Sequence, residues 1–469
     1  MANTISNIIS VINPATEALI KEIPADDWAA IASKVEKARQ AQPQWAGRSL
    51  AERIEAIAKF RDFLTQDVET LAAILTAETG KPITQAKNEI LATPQRIDFF
   101  IENISRVISA QHVQQNPQNA LPGIADLEEI VTYDPLGVVA NISAWNYPYF
   151  VGTNVFIPAL LTGNAVIYKP SEIATMTGLA IAERLHKAGV PVEIFSLVVG
   201  LGEAGAHLLE QPINSVFFTG SYETGKKIAI ATASKLIKTQ LELGGKDPAY
   251  VCDDVDVQIA AASLADGAFY NNGQSCCAIE RIYVHNNIYD SFLAAFLQAV
   301  QQFKQGDPTQ TDTYLGPLSR KPKLDVLAQQ ISDALEKGAK LCCGGQPVEG
   351  AGFYFEPTVL TDVTSDMAVM RAETFGPVIG IQRVHDDDEA IALMNDTDYG
   401  LTAAVYGKDR ARALGILSQI NSGSAYWNCC DRVSPFLPWT GRKHSGIGST
   451  LGEEGIRAFL RPRGWHLKP

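Results

Sequence analysis

From residue 129 onward, short apolar strand-like runs take turns with amphipathic helical ones, and this alternation constrains the fold more than any other feature. "EIVTYDPLGVVANIS" reads as strand, "NAVIYKP" as a short buried strand, and "TGLAIAERLHKAG" as a helix that ends on Gly189. "FSLVVG", "SVFFTG" and "TQLELGG" repeat the theme, with helices such as "GKKIAIATASK" between them. Strands joined through helices need crossover connections, so the pattern predicts an α/β fold: a parallel sheet with helices on both faces. A second α/β block follows. Its helices include "SFLAAFLQAVQQFK", "KLDVLAQQISDALEKGAKL" and "DDEAIALMN", and its strands include "PVIGIQRV" and "LTAAVYG". Ahead of both blocks, residues 28–110 carry apolar positions three and four apart and read as helices, with Gly80 before Lys81-Pro82 as a stop signal. Pro462 and Gly464 make the tail "AFLRPRGWHLKP" extended, able to pair with another subunit's sheet edge.

The chain has 469 residues, enough for two or three domains with real cores. A net charge of −13 argues against a nucleic-acid or anionic-membrane surface. The start, "MANTISNIISVINPATEALIKEIP", has no basic opening and no long apolar stretch, so a secretory signal is not expected. The uncharged run Pro135–Tyr168 resembles a membrane span by charge alone. Asn141, Asn146, Asn154 and Asn164 with Pro148 and Pro158 break it up, so it is read as strand, loop, helix and strand in a water-soluble core. Six of the seven cysteines form adjacent pairs, which cannot easily bridge to each other, and no CxxC spacing is present. Free thiols in a reducing compartment are expected, hence a cytoplasmic location and no metal site.

Several short motifs carry chemistry. "GLGEAG" (Gly200–Gly205) and "FTGSYETGKK" (Gly220 and Gly225 around Ser221) each sit between a strand and a helix, where glycine lets a pyrophosphate approach main-chain N–H groups. Either turn suits a dinucleotide, and either suits a plain tight turn. "YKPSE" puts Lys169 and Glu172 at a strand's carboxyl end, and a carboxylate there can take both ribose hydroxyls of NAD while repelling a 2′-phosphate. "LELGGKDP" places Glu242 before two glycines, where burial would raise its pKa toward that of a working base. Asn146 in "AWNYPYF" supplies an amide suited to a developing oxyanion. "NNGQSCCAIE" sets Cys276 beside Cys277, and either thiol is a candidate nucleophile or an inert core residue.

Taken together, "SAWNYP", "YKPSE", "FTGSYETG", "LELGGK", "NNGQSCCA", "AETFGPV" and "PWTGRKHSGIG" resemble the aldehyde dehydrogenase superfamily in order and spacing, over about residues 10–460. The resemblance implies a Rossmann-type NAD domain (1–112 and 136–244), an α/β catalytic domain (245–444) and a small β oligomerisation extension (113–135 and 445–469). It puts the nucleophile on Cys276, the oxyanion amide on Asn146 and the general base on Glu242. Cofactor contacts fall on Trp145, Lys169, Glu172, Gly220, Ser221, Gly225, Leu243, Glu373 and Phe375, which favours the second glycine turn over the first. NAD is expected over NADP because of Glu172.

The implied reaction is attack of Cys276 on a small-molecule aldehyde, oxidation to a thioester, and hydrolysis by water that Glu242 activates. Rival readings are thioester transfer to coenzyme A, a cofactor-independent thiol esterase, and a non-catalytic nucleotide-binding protein. Tyr147, Ser275, Trp427, Arg432 and Trp439 are the candidate substrate-pocket residues. Aromatics favour apolar or cationic aldehydes, whereas an inward Arg432 favours a carboxylate-bearing one. Ala372, Thr440-Gly441, and Cys430 with Val433 depart from the common family pattern, so the substrate tunnel is expected to differ in shape. A homodimer or homotetramer is implied, with no nucleic-acid or membrane partner.

Overall fold

The central strands of the first sheet are short apolar runs, buried on both faces as a parallel sheet requires, while the edge strand Lys238–Glu242 is polar and exposed at its start. Val138–Ile142, Ala165–Lys169, Phe195–Leu197, Ser215–Thr219 and Lys238–Glu242 pair in parallel. Numbered by chain order, they lie as 5-4-1-2-3. Chain direction across the sheet therefore reverses between Val138–Ile142 and Ser215–Thr219. In open sheets the crevice at such a switch point, beyond the carboxyl ends, is where ligands bind. This is a computed structural model that describes residues 8–113 and 128–468. Residues 114–127, most of the first segment of the expected extension, lie outside the described residues.

The expected helical region is helical, as Trp28–Ala46, Leu50–Gln66, Val68–Thr79 and Ile83–Ile108. Ser49 and Glu52 form a reciprocal cap that starts the second of these. Their apolar stripes close one face of the first sheet in a core containing Ile57, Phe60, Phe100, Phe156 and Tyr168.

The second sheet has seven strands, ordered 340–343, 358–361, 378–384, 279–285, 247–251, 402–406 and 424–427. All pairs are parallel except that of 340–343 with 358–361, an antiparallel edge strand. Helices Val257–Phe269 and Tyr289–Gln301 pack on one face, and Pro322–Glu336, Asp387–Asn395 and Arg410–Leu417 on the other. The carboxyl edge of the first sheet faces the amino edge of the second. The chain crosses between them at Leu243–Lys246, from the end of Lys238–Glu242 to the start of Asp247–Val251.

A third sheet joins Leu460–Leu467, Glu128–Pro135 and Gln111–His112, all antiparallel. The tail is extended as expected, but its partner is the chain's own strand 128–135. The expected boundary of the extension at residue 445 needs correction. Gly446–Ile447 pairs with Leu241 and Glu242 at the edge of the first sheet, and helix Gly452–Arg457 packs on helices Ile83–Ile108 and Pro148–Leu161. Residues 445–459 thus belong structurally with the first sheet. No helix among the described residues is long and apolar enough to cross a membrane. The Pro135–Tyr168 run is strand, loop, helix and strand, as read from its amides and prolines.

Candidate active site

At the switch point lies a cleft of about 960 Å³. Of the residues singled out from sequence, it is lined by Trp145, Asn146, Lys169, Glu172, Gly220, Ser221, Leu243, Cys276, Glu373 and Phe375. They come from the carboxyl ends of first-sheet strands and from turns that precede strands of the second.

The cysteine turn explains its own odd composition. Asn271, Asn272 and Gly273 all adopt left-handed backbone conformations (φ 52°, 57° and 67°). Asn and Gly are the residues that tolerate this region, and strain of this kind gathers at functional sites. A Cβ at Gly273 would meet the Gly376 carbonyl oxygen at 2.5 Å, so no other residue fits. The side-chain amides then bolt the turn down. Asn272 donates to the carbonyls of Gly316 and Pro317 (2.9 and 3.0 Å), Asn271 N–H donates to Gln85, and Gln274 accepts from Ser319 N–H. Cys276 emerges partly exposed on the cleft wall, while Cys277 is buried with its thiol donating to Asp431 at 3.0 Å. A hydrogen bond to the Cys276 thiol, together with burial, pushes the Cys277 thiol pKa well up. Of the two neighbours, only Cys276 has access to the cleft.

Asn146 sits in the loop between strand Val138–Ile142 and helix Pro148–Leu161. Its side-chain amide has no hydrogen-bond partner among the described residues, and it lines the cleft. Its carbonyl is gripped by Lys81 Nζ (2.6 Å) and Asn271 Nδ2 (3.3 Å). Lys81 is buried, ion-paired with Glu89, and lies 3.8 Å over the Tyr147 ring. Glu89 in turn accepts from Tyr149 N–H at 2.9 Å. The buried pair thus holds the whole Asn146–Tyr149 segment, and sequence reading missed it.

Glu242 ends a strand, and alternation puts its side chain on the same side as Gln240. Its carboxylate accepts from Gln240 Nε2 (2.9 Å) and Thr450 Oγ1 (3.1 Å), while Oε2 is buried without a partner. Burial pushes its pKa up to about 8. It does not line the cleft; the next residue, Leu243, does. The structure therefore holds Glu242 turned away, beside Trp439, whose main chain bridges to Thr450.

Glu373 faces the cleft and accepts from Gly245 N–H at 3.1 Å. Burial, then the nearby Glu280 charge, raises its pKa to about 7. Phe375, at φ 48°, packs edge-on to Trp145 at 5.6 Å. Glu280, also missed, organises this loop by accepting from Thr374 N–H, Phe375 N–H and Lys246 Nζ (2.8, 2.9 and 2.7 Å). The signal was there: Glu280 is a buried acid at the start of a buried strand, Ile279–His285.

A dinucleotide fits the remaining walls. Helices Gly202–Glu210 and Tyr222–Ala233 both begin at the cleft, and N-terminal N–H groups attract phosphate. Ser221, the N-cap of the second, makes no capping bond and instead meets Thr224 Oγ1 at 3.1 Å, which leaves that helix's first N–H groups uncapped by it. Among the described residues, buried Lys169 has no carboxylate within ion-pair distance, its Nζ meeting only the Pro170 carbonyl at 3.4 Å. A Cβ at Gly244 would strike the Glu373 carboxyl at 2.4 Å and displace it, so the bare backbone there leaves Glu373 its place. Two placements add to the expected wall. Gly202 and Gly205 of the first glycine turn line the same cleft, so the two turns share it. Gly225 lies behind it, where an added Cβ would stand 2.5 Å from Leu243 Cδ2.

The substrate-pocket expectations fare unevenly. Tyr147 stacks on Phe150 (5.9 Å, 7°) beside Asn146. Ser275 is buried and donates to Asp431 at 3.2 Å. Trp427 is a correction: its indole N–H donates to the Gly407 carbonyl and it packs with the helices on the far face of the second sheet. Strand alternation sends its neighbour Tyr426 to the near face instead, hydrogen-bonded to the Arg432 carbonyl. The Arg432 side chain is exposed, and Trp439 flanks Glu242.

Fold and site define a class: an α/β protein with Rossmann-like parallel sheets, a dinucleotide-sized cleft and a cysteine thiol on its wall. Comparison with known proteins gives the family. Residues 1–464 match the aldehyde dehydrogenase family. Lactaldehyde dehydrogenase of Escherichia coli K12 is 34% identical over 464 residues, covering 98% of this chain and 95% of its own. An NADP-dependent enzyme of E. coli superposes with TM-score 0.95 at 32% identity, over 98% of this chain and 95% of that one. An NAD-dependent aldehyde dehydrogenase of Sinorhizobium meliloti does so with TM-score 0.94 at 32% identity, over 98% and 91%. The chain belongs to the aldehyde dehydrogenase family, which oxidises aldehydes to acids with NAD(P).

Proposed function

We propose that this protein is an NAD-dependent, non-acylating aldehyde dehydrogenase with Cys276 as nucleophile. One observation carries the reading: of the adjacent thiols, Cys276 alone opens onto the cleft shared by the unpartnered Asn146 amide and the glycine turns. Cys276 Sγ attacks the aldehyde carbon, and the Asn146 amide with the Cys276 N–H stabilises the oxyanion. A nicotinamide dinucleotide, when bound, would supply hydride acceptance, and Cys276 Sγ is the atom that would hold the acyl group until hydrolysis. Glu242 rotates out of its contacts with Gln240 and Thr450 and takes a proton from the water that hydrolyses it. A carboxylate pushed up to about 8 suits that base role. Glu172 on the cleft wall supports NAD over NADP, since it would repel a 2′-phosphate. Lys169, Ser221, Glu373 and Phe375 hold the dinucleotide, the third sheet joins subunits into a dimer or tetramer, and the protein works in the cytoplasm.

The test is stoichiometry with purified protein and an aldehyde panel. One NADH and one carboxylic acid per aldehyde, with no dependence on coenzyme A, is the expected result. An acyl-coenzyme A product would move the protein to the acylating branch. Acid without NADH would make it a thiol hydrolase.

A further inference from the structure

Four arginines are buried among the described residues, and three are fully employed. Arg53 donates to the carbonyls of Trp45, Ala46, Arg48 and Leu161. Arg281 donates to the carbonyls of Lys246, Leu393, Met394 and Asp396 and to the Tyr283 hydroxyl. Arg184 pairs with Asp67 and Glu183. These side chains tie the fold together.

Arg96 is different. It is 6% exposed, yet it has no carboxylate within ion-pair distance among the described residues. Its guanidinium makes two long bonds, to Asn154 Oδ1 (3.2 Å) and the Val433 carbonyl (3.3 Å), and lies 4.0 Å over the Phe150 ring. Its Nε makes no hydrogen bond among the described residues. The neighbouring acids are taken. Glu89 serves Lys81 and Tyr149, and Asp431 Oδ1 serves Ser275 and Cys277. A buried cation held only by neutral groups is costly to keep, and an anionic ligand removes the cost.

Its position ties this cation to the reactive thiol. Phe150 stacks on Tyr147, which adjoins Asn146. Val433 lies two residues beyond Asp431, which bonds Ser275 and Cys277 on either side of Cys276. Arg96 therefore spans the two walls that flank the thiol. One helical turn on, Phe99 packs edge-on to the exposed Phe436 at 5.3 Å, so the same helix face follows the 433–436 loop toward solvent. Arg432, the arginine in the sequence motif, is exposed, where water screens a charge and leaves little selectivity.

We propose that Arg96 is the anion-recognising residue of the substrate site, and that the preferred substrates are aldehydes whose far end carries a carboxylate. This rests on the dehydrogenase reading above. A guanidinium fork meets a carboxylate with two parallel hydrogen bonds, which a neutral or cationic aldehyde cannot make.

The experiment compares kcat/KM for 5-oxopentanoate, pentanal and 5-aminopentanal in the wild type, Arg96→Gln and Arg96→Lys. The wild type should prefer 5-oxopentanoate to pentanal by about tenfold to hundredfold. Arg96→Gln, which removes the charge and keeps an amide donor, should lower that ratio at least about tenfold, and Arg96→Lys should fall between. A wild type that prefers pentanal or 5-aminopentanal overturns the proposal. So does a ratio unmoved in Arg96→Gln, even where both rates drop, because that marks a structural arginine. A second readout needs no turnover: glutarate, but not glutaramide, should protect Cys276 from iodoacetamide, and Arg96→Gln should abolish the protection. Equal protection in the variant counts against Arg96. If no aldehyde reduces NAD or NADP while the protection behaves as described, the dehydrogenase reading fails and the anion site stands.

Discussion

The two sides of the Cys276 turn are made of different material. The cleft side is largely main chain: two helix N-termini, bare glycine backbone at Gly220 and Gly244, and a few side chains at its rim. The opposite side is nearly all side chain: Tyr147 on Phe150, Arg96 over that ring, and Asp431 holding Ser275 and Cys277. A site made of backbone requires particular residues at fixed short spacings, because only glycine clears the ligand and only a strand–turn–helix points its N–H groups. A site made of side chains requires only that some residue, from anywhere in the chain, arrive with the right group. The first is common to many chemistries with one cofactor, and the second sets what each enzyme accepts.

The largest expected effect separates the two sides outright. Cys276→Ala should abolish turnover, by about 10⁴-fold or more, while dinucleotide affinity stays within a few-fold, because the cleft there is backbone. Titration by NADH fluorescence reads this, and a comparable loss of affinity would mean the two sides are one cooperative unit. Asn146→Ala should cost about 10²–10³ in kcat. Lys81→Met, which frees the Asn146 carbonyl, should cost about tenfold on its own and nothing further in the Asn146→Ala background. Additive losses would show that Lys81 acts elsewhere.

Next comes pH. With its pKa raised to about 8 by burial, Glu242 is protonated and inert as a base below that value and ionised above it. Where thioester hydrolysis limits turnover, kcat should climb about tenfold per pH unit up to 8 and then level. Glu242→Gln should leave an NADH burst with no steady state. A wild-type profile flat from pH 6 to 9 would take Glu242 out of that step. The smallest effect is at the rim: Glu172→Gln should shift the NADP-to-NAD ratio of kcat/KM toward NADP by about tenfold, one unit of interaction energy near 1.4 kcal/mol. An unchanged ratio would assign the preference to the backbone.

Much of the cleft was legible from sequence because its rules are local. The strand–helix alternation predicted the sheet, and "FTGS", "YKPSE" and "NNGQSCC" each named residues that meet at one cleft. "GLGEAG" was legible too, and Gly202 and Gly205 line the same cleft as Gly220 and Ser221 because both helices start at that opening. Trp427 failed for a reason of parity: a residue's face in a strand depends on register with its neighbours, and one step separates it from Tyr426. Glu242 was found by motif, but its direction was set by Gln240 and by Thr450, 208 residues away. Lys81 with Asn146, Glu280 with Thr374, and Arg96 with Val433 bring together residues 65, 94 and 337 positions apart. No single stretch of sequence carries such a pair.

By itself the sequence determined the order of strands and helices, the positions where only glycine or asparagine fits, and the inventory of reactive groups. Those follow from backbone sterics and hydrophobic periodicity, which act over a few residues. Tertiary structure alone decided which of two adjacent thiols opens to the cleft, which way Glu242 points, and which buried arginine lacks a counter-charge. Burial and proximity belong to pairs of groups brought together by folding, and they are what turn a side chain into a nucleophile, a base or a binding site.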